Sequence, residues 1–192
     1  LTDKKINYKG EKVPNILVKD VRQSLSKACS NFYKQKPKKI IAVTGTNGKT
    51  SVADFFYQIL NNSGILAGSI GTLGVISKKY NKKTNLTSLD PLNLHKNLQK
   101  LKRNKVDNVI LEASSHGLHQ KRLDGLSIKV GIFTNLSHDH LDYHKNMQSY
   151  FESKMYLFKN LLKKNSKIIT DKEDRKFKLI KKIAKNKKIE IK

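Results

Sequence analysis

Residues 39–51 read KIIAVTGTNGKTS, and this stretch is the main evidence for the fold. Its beginning, Lys39–Thr44, is short and rich in β-branched residues, which is typical of a strand buried in a parallel sheet. A glycine-containing loop follows, and a helical pattern runs over Thr50–Asn62 and stops before Gly64, which we expect to form the C-cap. A strand, a loop and a helix in direct succession predict one βα unit of an α/β protein.

Strand and helix patterns alternate through the rest of the chain in the same way. Apolar runs predict strands at Ile65–Ile70, Val109–Leu111, Val130–Thr134 and Lys167–Thr170, and a further strand that starts at Ile189. Helical spacing predicts helices at Val18–Tyr33, from Pro91 onward with Asp90 as the N-cap, at Met147–Leu162 and at Glu173–Ala184. Repeated βα units indicate an α/β fold with a mostly parallel sheet and helices on both faces.

Two of these helices carry apolar residues at a spacing that predicts a buried face. The faces consist of Val18, Val21, Leu25, Ala28 and Phe32 in the first helix, and of Leu92, Leu94, Leu98 and Leu101 in the second. A polar linker that contains Pro37 separates the first helix from the first strand. We therefore expect residues 1–38 to be an extension and residues 39–192 to form one domain.

The composition is that of a soluble globular protein, with 37% hydrophobic and 29% charged residues. No apolar run is long enough to span a bilayer, and the first residues do not resemble a signal peptide. The single cysteine, Cys29, cannot form an internal disulfide, so the sequence predicts a cytoplasmic protein without membrane contact. The chain starts at Leu1 rather than Met, which we interpret as a start inside a longer protein.

A net charge of +25, from 40 Lys and Arg against 15 Asp and Glu, raises nucleic-acid binding as a hypothesis. The excess is almost all lysine, is spread along the chain, and lacks the interleaved aromatic residues on which bases stack. We therefore favour a solvated, lysine-rich surface and expect no nucleic-acid partner.

Gly45–Ser51 (GTNGKTS) has the composition and the context of a phosphate-binding loop. Small residues let backbone N–H groups converge on phosphate oxygens, and the following helix N-terminus favours negative charge. In this loop Lys49 would neutralise the outer phosphates and the Thr50 hydroxyl would bind Mg²⁺. The longer form of the motif has a glycine where this chain has Val43, so the loop is a short variant. The alternative is a glycine turn that only caps a helix.

Two further polar segments follow predicted strands. Glu112 precedes ASSHG at the end of one strand, where an acidic residue is well placed to hold Mg²⁺ beside a nucleotide, although a surface glutamate is the alternative. The segment Thr134–His144 (TNLSHDHLDYH) suggests zinc by its three histidines, but Asp139 and His140 are adjacent, so we favour Mg²⁺ ligation over zinc and over a plain polar loop. His116 has no metal-ligand spacing and would pack or cap its turn, and Lys154 is not distinguished from other lysines by composition.

Taken together, the segments TGTNGKT from Thr44, EASSHGL from Glu112 and TNLSHDHLDYH from Thr134 resemble the Mur ligase family. The resemblance extends from about Val18 to Lys192 and is greatest to the branch that adds the third residue of the peptidoglycan peptide. It implies three domains, so that residues 1–38 would be the tail of a uridine-nucleotide-binding domain with its linker. Residues 39–192 would be the central ATP-binding domain, incomplete at its C-terminus, and the C-terminal Rossmann-like domain would be absent.

The resemblance also implies the site residues and the cofactors, which are ATP and two Mg²⁺ ions. The ATP phosphates would be held by Gly45, Thr46, Asn47, Gly48, Lys49, Thr50 and Ser51. One Mg²⁺ would be bound by Thr50 and Glu112, and the second by His140 and by Lys154, whose amine would carry a CO₂-derived carbamate. The substrate-binding residues would be Thr87, Ser88, Ser114, Gln120 and Arg122, with Ser88 at a position where threonine is commoner in the family.

The activity implied by the resemblance is ATP-dependent ligation of an amino acid to UDP-N-acetylmuramoyl-L-Ala-D-Glu through an acyl phosphate. Lys49, His140 and Lys154 would be the catalytic residues, and this chain alone would be inactive. The C-terminal domain would select the amino acid, which is meso-diaminopimelate, lysine or another. Two alternatives remain beside this interpretation: a different phosphate-loop NTPase or kinase complete at this length, and a basic nucleic-acid-binding module.

Overall fold

The computed structural model describes residues 1–4 and 15–192 of the chain. The strands are β1 Lys39–Thr44, β2 Ala67–Gly71, β3 Gly74–Ser77, β4 Asn108–Glu112, β5 Ile128–Phe133, β6 Leu162–Thr170 and β7 Glu190–Ile191. The helices are α1 Val21–Phe32, α2 Lys49–Asn62, α3 Pro91–Arg103, α4 Ser115–His119, α5 Leu141–His144, α6 Met147–Tyr156 and α7 Phe177–Lys187. A π-helical turn, Leu157–Leu161, continues α6.

The described residues form a seven-stranded sheet in the order β3-β2-β4-β1-β5-β6-β7. Every neighbouring pair is parallel except β2 and β3, which are antiparallel. This arrangement confirms the predicted α/β fold with a mostly parallel sheet. The antiparallel strand β3 and the short helices α4 and α5 were not predicted, because elements of four or five residues are too short to display a periodicity.

The boundary between α6 and β6 differs from the predicted one. The expected helix Met147–Leu162 ends as an α-helix at Tyr156, and β6 starts at Leu162, five residues before the predicted strand. The side chains of Leu157, Phe158 and Leu161 in the π-helical turn are buried. Their apolar spacing continues the helical pattern beyond the α-helix, which explains the overlong prediction.

The predicted apolar face of α1 is wrong. Leu25 is 44% exposed and Phe32 is 79% exposed, whereas Ser26 and Ser30 are buried. The hydroxyls of these two serines donate hydrogen bonds of 2.6 and 2.8 Å to carbonyl groups in the 121–125 segment. The helix therefore packs through hydrogen bonds, which an apolar periodicity does not detect. In α3, Leu94, Leu98 and Leu101 are buried as predicted, whereas Leu92 is exposed, and Asp90 caps the helix by accepting from the Asn93 amide.

The sheet brings the polar ends of its central strands to one edge. The parallel registers pair Val43 of β1 with Glu112 of β4, and Thr44 of β1 with Phe133 of β5. The loops that follow β1, β4 and β5 consequently emerge side by side, which is where ligands bind in open parallel sheets. Within the described part of the chain, no helix is long and apolar enough to cross a membrane.

Candidate functional site

The loop after β1 has a backbone that requires glycine. A Cβ on Gly45 would lie 1.8 Å from the Thr134 hydroxyl oxygen, and the φ of Gly48 is +82° immediately before α2 begins at Lys49. No side chain caps the N-terminus of α2, so its first N–H groups face the cleft without a side-chain acceptor. Glycine, close packing and an open helix end are the features that let a loop surround phosphate.

The segment after β5 holds this loop in place. The Thr46 amide donates to the Asn135 carbonyl at 2.9 Å, and the Asn47 amide donates to the Asn135 side-chain oxygen at 3.0 Å. The Thr134 hydroxyl donates to the Asn47 carbonyl at 2.6 Å. Thr134 and Asn135 of the Thr134–His144 segment therefore help to hold the Gly45–Ser51 loop in its shape.

The Lys49 amine lies over the loop and donates to the carbonyl groups of Gly45 and Thr46 at 3.0 and 2.7 Å. Burial lowers the pKa of Lys49, and the nearby carboxylates of Glu112 and Asp139 act in the opposite direction by raising it. The lysine therefore lies where it can exchange its carbonyl partners for anionic oxygens.

Glu112 is buried at the end of β4 and faces the loop. Its carboxylate accepts from the Thr50 hydroxyl at 2.9 Å, from the Thr72 amide at 2.9 Å and from the Thr72 hydroxyl at 3.1 Å. In an octahedral Mg²⁺ site with ligands at 2.0–2.1 Å, neighbouring ligand oxygens are about 2.9 Å apart. The Thr50 and Glu112 oxygens, which a hydrogen bond of the same length now joins, are therefore close enough to become neighbouring ligands of one Mg²⁺. A Cβ on Gly71 would lie 2.1 Å from the Glu112 carboxylate, which explains the glycine there.

Lys154 is almost fully buried, with 1% of its surface exposed, although composition does not distinguish it. Its amine donates to the Gly45 carbonyl at 2.7 Å and lies 4.2 Å from the centre of the Tyr150 ring. Burial, reinforced by the charge of Lys49 and opposed by Asp139, lowers the pKa of Lys154 to about 7. A large fraction of this amine is therefore neutral and nucleophilic near neutral pH.

His140 lies at the rim of the cleft with a left-handed backbone, φ +53°. Its ring is 5.0 Å from that of His116, which also packs 4.1 Å from Tyr143 and 5.4 Å from the buried His144. The packing role expected for His116 is confirmed. In the parts of the chain that the structure describes, no three His, Cys, Asp or Glu side chains are grouped as a metal centre.

The cleft has a volume of about 270 Å³ and is lined by most of the predicted site residues. These are Thr46, Asn47, Gly48, Lys49, Thr50, Ser51, Thr87, Glu112, Ser114, His140 and Lys154. Thr72, Ser115 and Tyr150 also line it and were not predicted. Tyr150 precedes Lys154 by four residues, which is one helical turn, so helical spacing was the signal that could have identified it.

The remaining predicted substrate residues lie beside the cleft rather than in its lining. The Ser88 hydroxyl donates to the Glu112 carbonyl at 2.8 Å and accepts from the Ser114 amide at 2.8 Å. The Arg122 guanidinium donates to the Ser88 carbonyl at 2.6 Å and to the Gln120 side-chain oxygen at 2.6 and 3.0 Å. No carboxylate among the described residues pairs with Arg122.

Residues 43–192 match the model of the Mur ligase middle domain. The chain belongs to the Mur ligase family. Mur ligases are ATP-dependent amide ligases of peptidoglycan synthesis.

The chain is also similar to curated members of this family. The UDP-N-acetylmuramoyl-L-alanyl-D-glutamate–2,6-diaminopimelate ligase of Rhizobium meliloti (strain 1021) is 46% identical over 161 residues, which cover 84% of this chain and 33% of that enzyme. The enzyme with the same name from Rickettsia bellii is 42% identical over 170 residues, which cover 86% of this chain and 36% of that enzyme. The chain therefore spans about a third of the length of these Mur ligases.

Solved structures agree with this fold. A structure of a UDP-N-acetylmuramoyl-L-alanyl-D-glutamate–2,6-diaminopimelate ligase superimposes with a TM-score of 0.79 at 34% identity, over 92% of this chain and 36% of that one. The folylpolyglutamate synthase/dihydrofolate synthase of Yersinia pestis, complexed with AMPPNP and a manganese ion, has a TM-score of 0.68. At 18% identity over 88% of this chain and 46% of that one, it supports the fold alone.

Proposed function

We propose that this chain is the ATP-binding middle part of a ligase that joins 2,6-diaminopimelate to UDP-N-acetylmuramoyl-L-alanyl-D-glutamate. The observation that carries the proposal is the Thr50–Glu112 oxygen pair, 2.9 Å apart, in one cleft with Lys49 and the buried Lys154. The diaminopimelate specificity is taken from the relatives in Rhizobium meliloti and Rickettsia bellii. Residues 1–38 would then belong to the preceding domain and its linker, and 39–192 to the central domain.

In this proposal Gly45–Ser51 surrounds the phosphates of ATP. The N–H groups at the start of α2 bind phosphate oxygens, and Lys49 leaves the carbonyls of Gly45 and Thr46 to bind the outer phosphates. Thr50 and Glu112 would hold one Mg²⁺, which with Lys49 would offset the negative charge that otherwise repels a carboxylate from ATP.

The second Mg²⁺ would be held by His140 and by a carbamate on Lys154. An ammonium group cannot bind a cation, whereas a neutral amine adds CO₂, loses a proton and becomes an anionic carbamate with two oxygens. The pKa of about 7 supports this assignment because it keeps much of the amine neutral at physiological pH. Lys49 can then balance the new negative charge, since both amines contact the Gly45 carbonyl.

The muramoyl-peptide substrate would be bound by Thr87, Ser88, Ser114, Gln120 and Arg122. Arg122 supports this assignment because its guanidinium is fixed by neutral acceptors and keeps its charge available for a carboxylate or phosphate. The D-glutamyl carboxylate attacks the γ-phosphate of ATP, which releases ADP and forms an acyl phosphate. The incoming amine then attacks the acyl carbon, and phosphate leaves.

The proposal is tested with the full-length gene product that contains this chain. With ATP, Mg²⁺, UDP-N-acetylmuramoyl-L-Ala-D-Glu and diaminopimelate, we expect tripeptide product and stoichiometric phosphate, and Lys49→Met should abolish both. A matched control is Lys79→Met, because Lys79 is an exposed lysine outside the cleft. Phosphate release that is indifferent to the peptide and the amino acid would instead support a plain NTPase.

A further inference from the structure

Tyr150 is the largest of the fully buried side chains and has no role in the site proposed above, although it lines the same cleft. It is 1% exposed, its hydroxyl lies 3.1 Å from the Thr46 hydroxyl oxygen, and its ring lies beneath the Lys154 amine at 4.2 Å. A buried tyrosine hydroxyl normally has a specific hydrogen-bond partner, and here that partner belongs to the phosphate-binding loop.

The direction of this hydrogen bond follows from the other contacts of Thr46. The Thr46 hydroxyl oxygen accepts from the Ser137 amide at 3.0 Å, and we assign its single proton to the Ser137 carbonyl at 3.2 Å, which can only accept. Because a hydroxyl donates once and accepts twice, the remaining position on Thr46 is an acceptor. Tyr150 is therefore the donor, and burial raises its pKa, so that the proton stays on the phenol at neutral pH.

The contacts of Tyr150 join three parts of the site. Through Thr46 its hydroxyl is linked to the phosphate-binding loop and to Ser137 of the segment after β5. Its own helix, α6, carries Lys154 one turn later, and Lys154 donates to the Gly45 carbonyl at the start of the same loop. Two side chains of α6 thus contact two consecutive residues of the loop, one through a hydroxyl and one through an amine.

We infer that Tyr150 is a positioning residue that holds the phosphate-binding loop in its nucleotide-binding shape through the hydrogen bond to Thr46. The inference rests on the proposed function in one respect, namely that the loop binds ATP. The ring supports the Lys154 side chain, and the hydroxyl sets the loop. Tyr150→Phe removes the second contribution and keeps the first.

The test is a double-mutant cycle on the binding of Mg²⁺-ATP, measured by calorimetry on the full-length gene product that contains this chain. We expect Tyr150→Phe to weaken binding about fivefold, the effect of one neutral hydrogen bond. Thr46→Val, which removes the acceptor and keeps the shape, should weaken binding by itself. In the Thr46→Val background, Tyr150→Phe should then have almost no further effect. Tyr57→Phe, on α2 and outside the cleft, is the matched control and should bind like the parent chain.

A purely structural role for Tyr150 would lower the melting temperature without a nucleotide-specific effect, so thermal unfolding of each variant is recorded without ligand. Unchanged affinity in Tyr150→Phe, or effects of the two substitutions that simply add, would overturn the inference while the parent chain still binds Mg²⁺-ATP. Failure of the full-length parent protein to bind Mg²⁺-ATP would instead refute the proposed function, so the two failures are distinguishable.

Discussion

Replacing Lys49 by methionine should raise the pKa of Lys154. The two amines donate to the same oxygen, the Gly45 carbonyl, at 3.0 and 2.7 Å, so they are at most about 6 Å apart. At an effective dielectric constant near 20, two unit charges at that distance repel by about 3 kcal/mol, or about two pKa units. A shorter separation would strengthen this repulsion, whereas burial also lowers the pKa of Lys49 and so reduces the charge that it carries.

We therefore expect the pKa of Lys154 to rise from about 7 by roughly one to two units in Lys49→Met. At pH 7.5 the neutral fraction of the amine would fall from about three quarters to about one tenth. Burial, the largest cause of the lowered pKa, is unaffected by the substitution, so the pKa should stay below the ordinary lysine value.

The assay is a pH titration of lysine labelled with ¹³C at Cε, followed by heteronuclear NMR. Loss of one signal in Lys154→Arg assigns the resonance. Asp139→Asn provides the opposite control, since the Asp139 carboxylate raises the pKa of Lys154 and its removal should lower the midpoint. A Lys154 midpoint that stays unchanged or falls in Lys49→Met would refute this electrostatic reasoning.

Three further predictions concern individual contacts. Gly71→Ala should displace the Glu112 carboxylate, because the new Cβ would lie 2.1 Å from it. Mg²⁺-dependent ATP binding, measured by calorimetry, should weaken at least tenfold. An affinity equal to that of the parent would contradict the Mg²⁺ assignment. Ser88→Ala leaves the Ser114 amide without its acceptor and the Glu112 carbonyl without its donor, so urea unfolding should show a loss of about 2–3 kcal/mol; a loss below 0.5 kcal/mol would argue against this. His95 is buried and lacks a hydrogen-bond partner among the described residues, and burial lowers its pKa to about 4. As pH falls below 6.5, His95 binds a proton in the unfolded chain but not yet in the folded one. The free energy of unfolding should therefore fall by about 2 kcal/mol between pH 7.5 and 5, and His95→Leu should remove this contribution.

The α/β class and most elements could be predicted from the sequence because their signals are local. The strand Lys39–Thr44, the helix that follows the phosphate-binding loop and the Asp90 cap of α3 all agree with the structure. Each depends on side-chain periodicity or on residues within one turn of the chain. The apolar face assigned to α1 was wrong because the packing of this helix is not local. The helix packs against carbonyl groups about 95 residues away in the sequence.

In the candidate site, too, some features follow from local sequence and others only from the packing of distant segments. Small residues, a lysine and a threonine after a strand indicated the phosphate-binding loop by themselves, because backbone approach to phosphate demands that composition. The sequence could not specify that Thr50 and Glu112 are 2.9 Å apart, or that Gly71 leaves room for the carboxylate, since strand order β2-β4-β1 decides both.

Lys154 and Tyr150 depended most on the tertiary structure. In the sequence they are one lysine among many and one aromatic residue of a helix, and only the resemblance to Mur ligases directed attention to the lysine. In the fold, α6 is packed so that both side chains are buried against Gly45 and Thr46. The sequence by itself determined which groups are available and the local structure around them. The tertiary structure decided their chemistry, because burial and the distance between charges, which set the pKa of Lys154, exist only once the chain is packed.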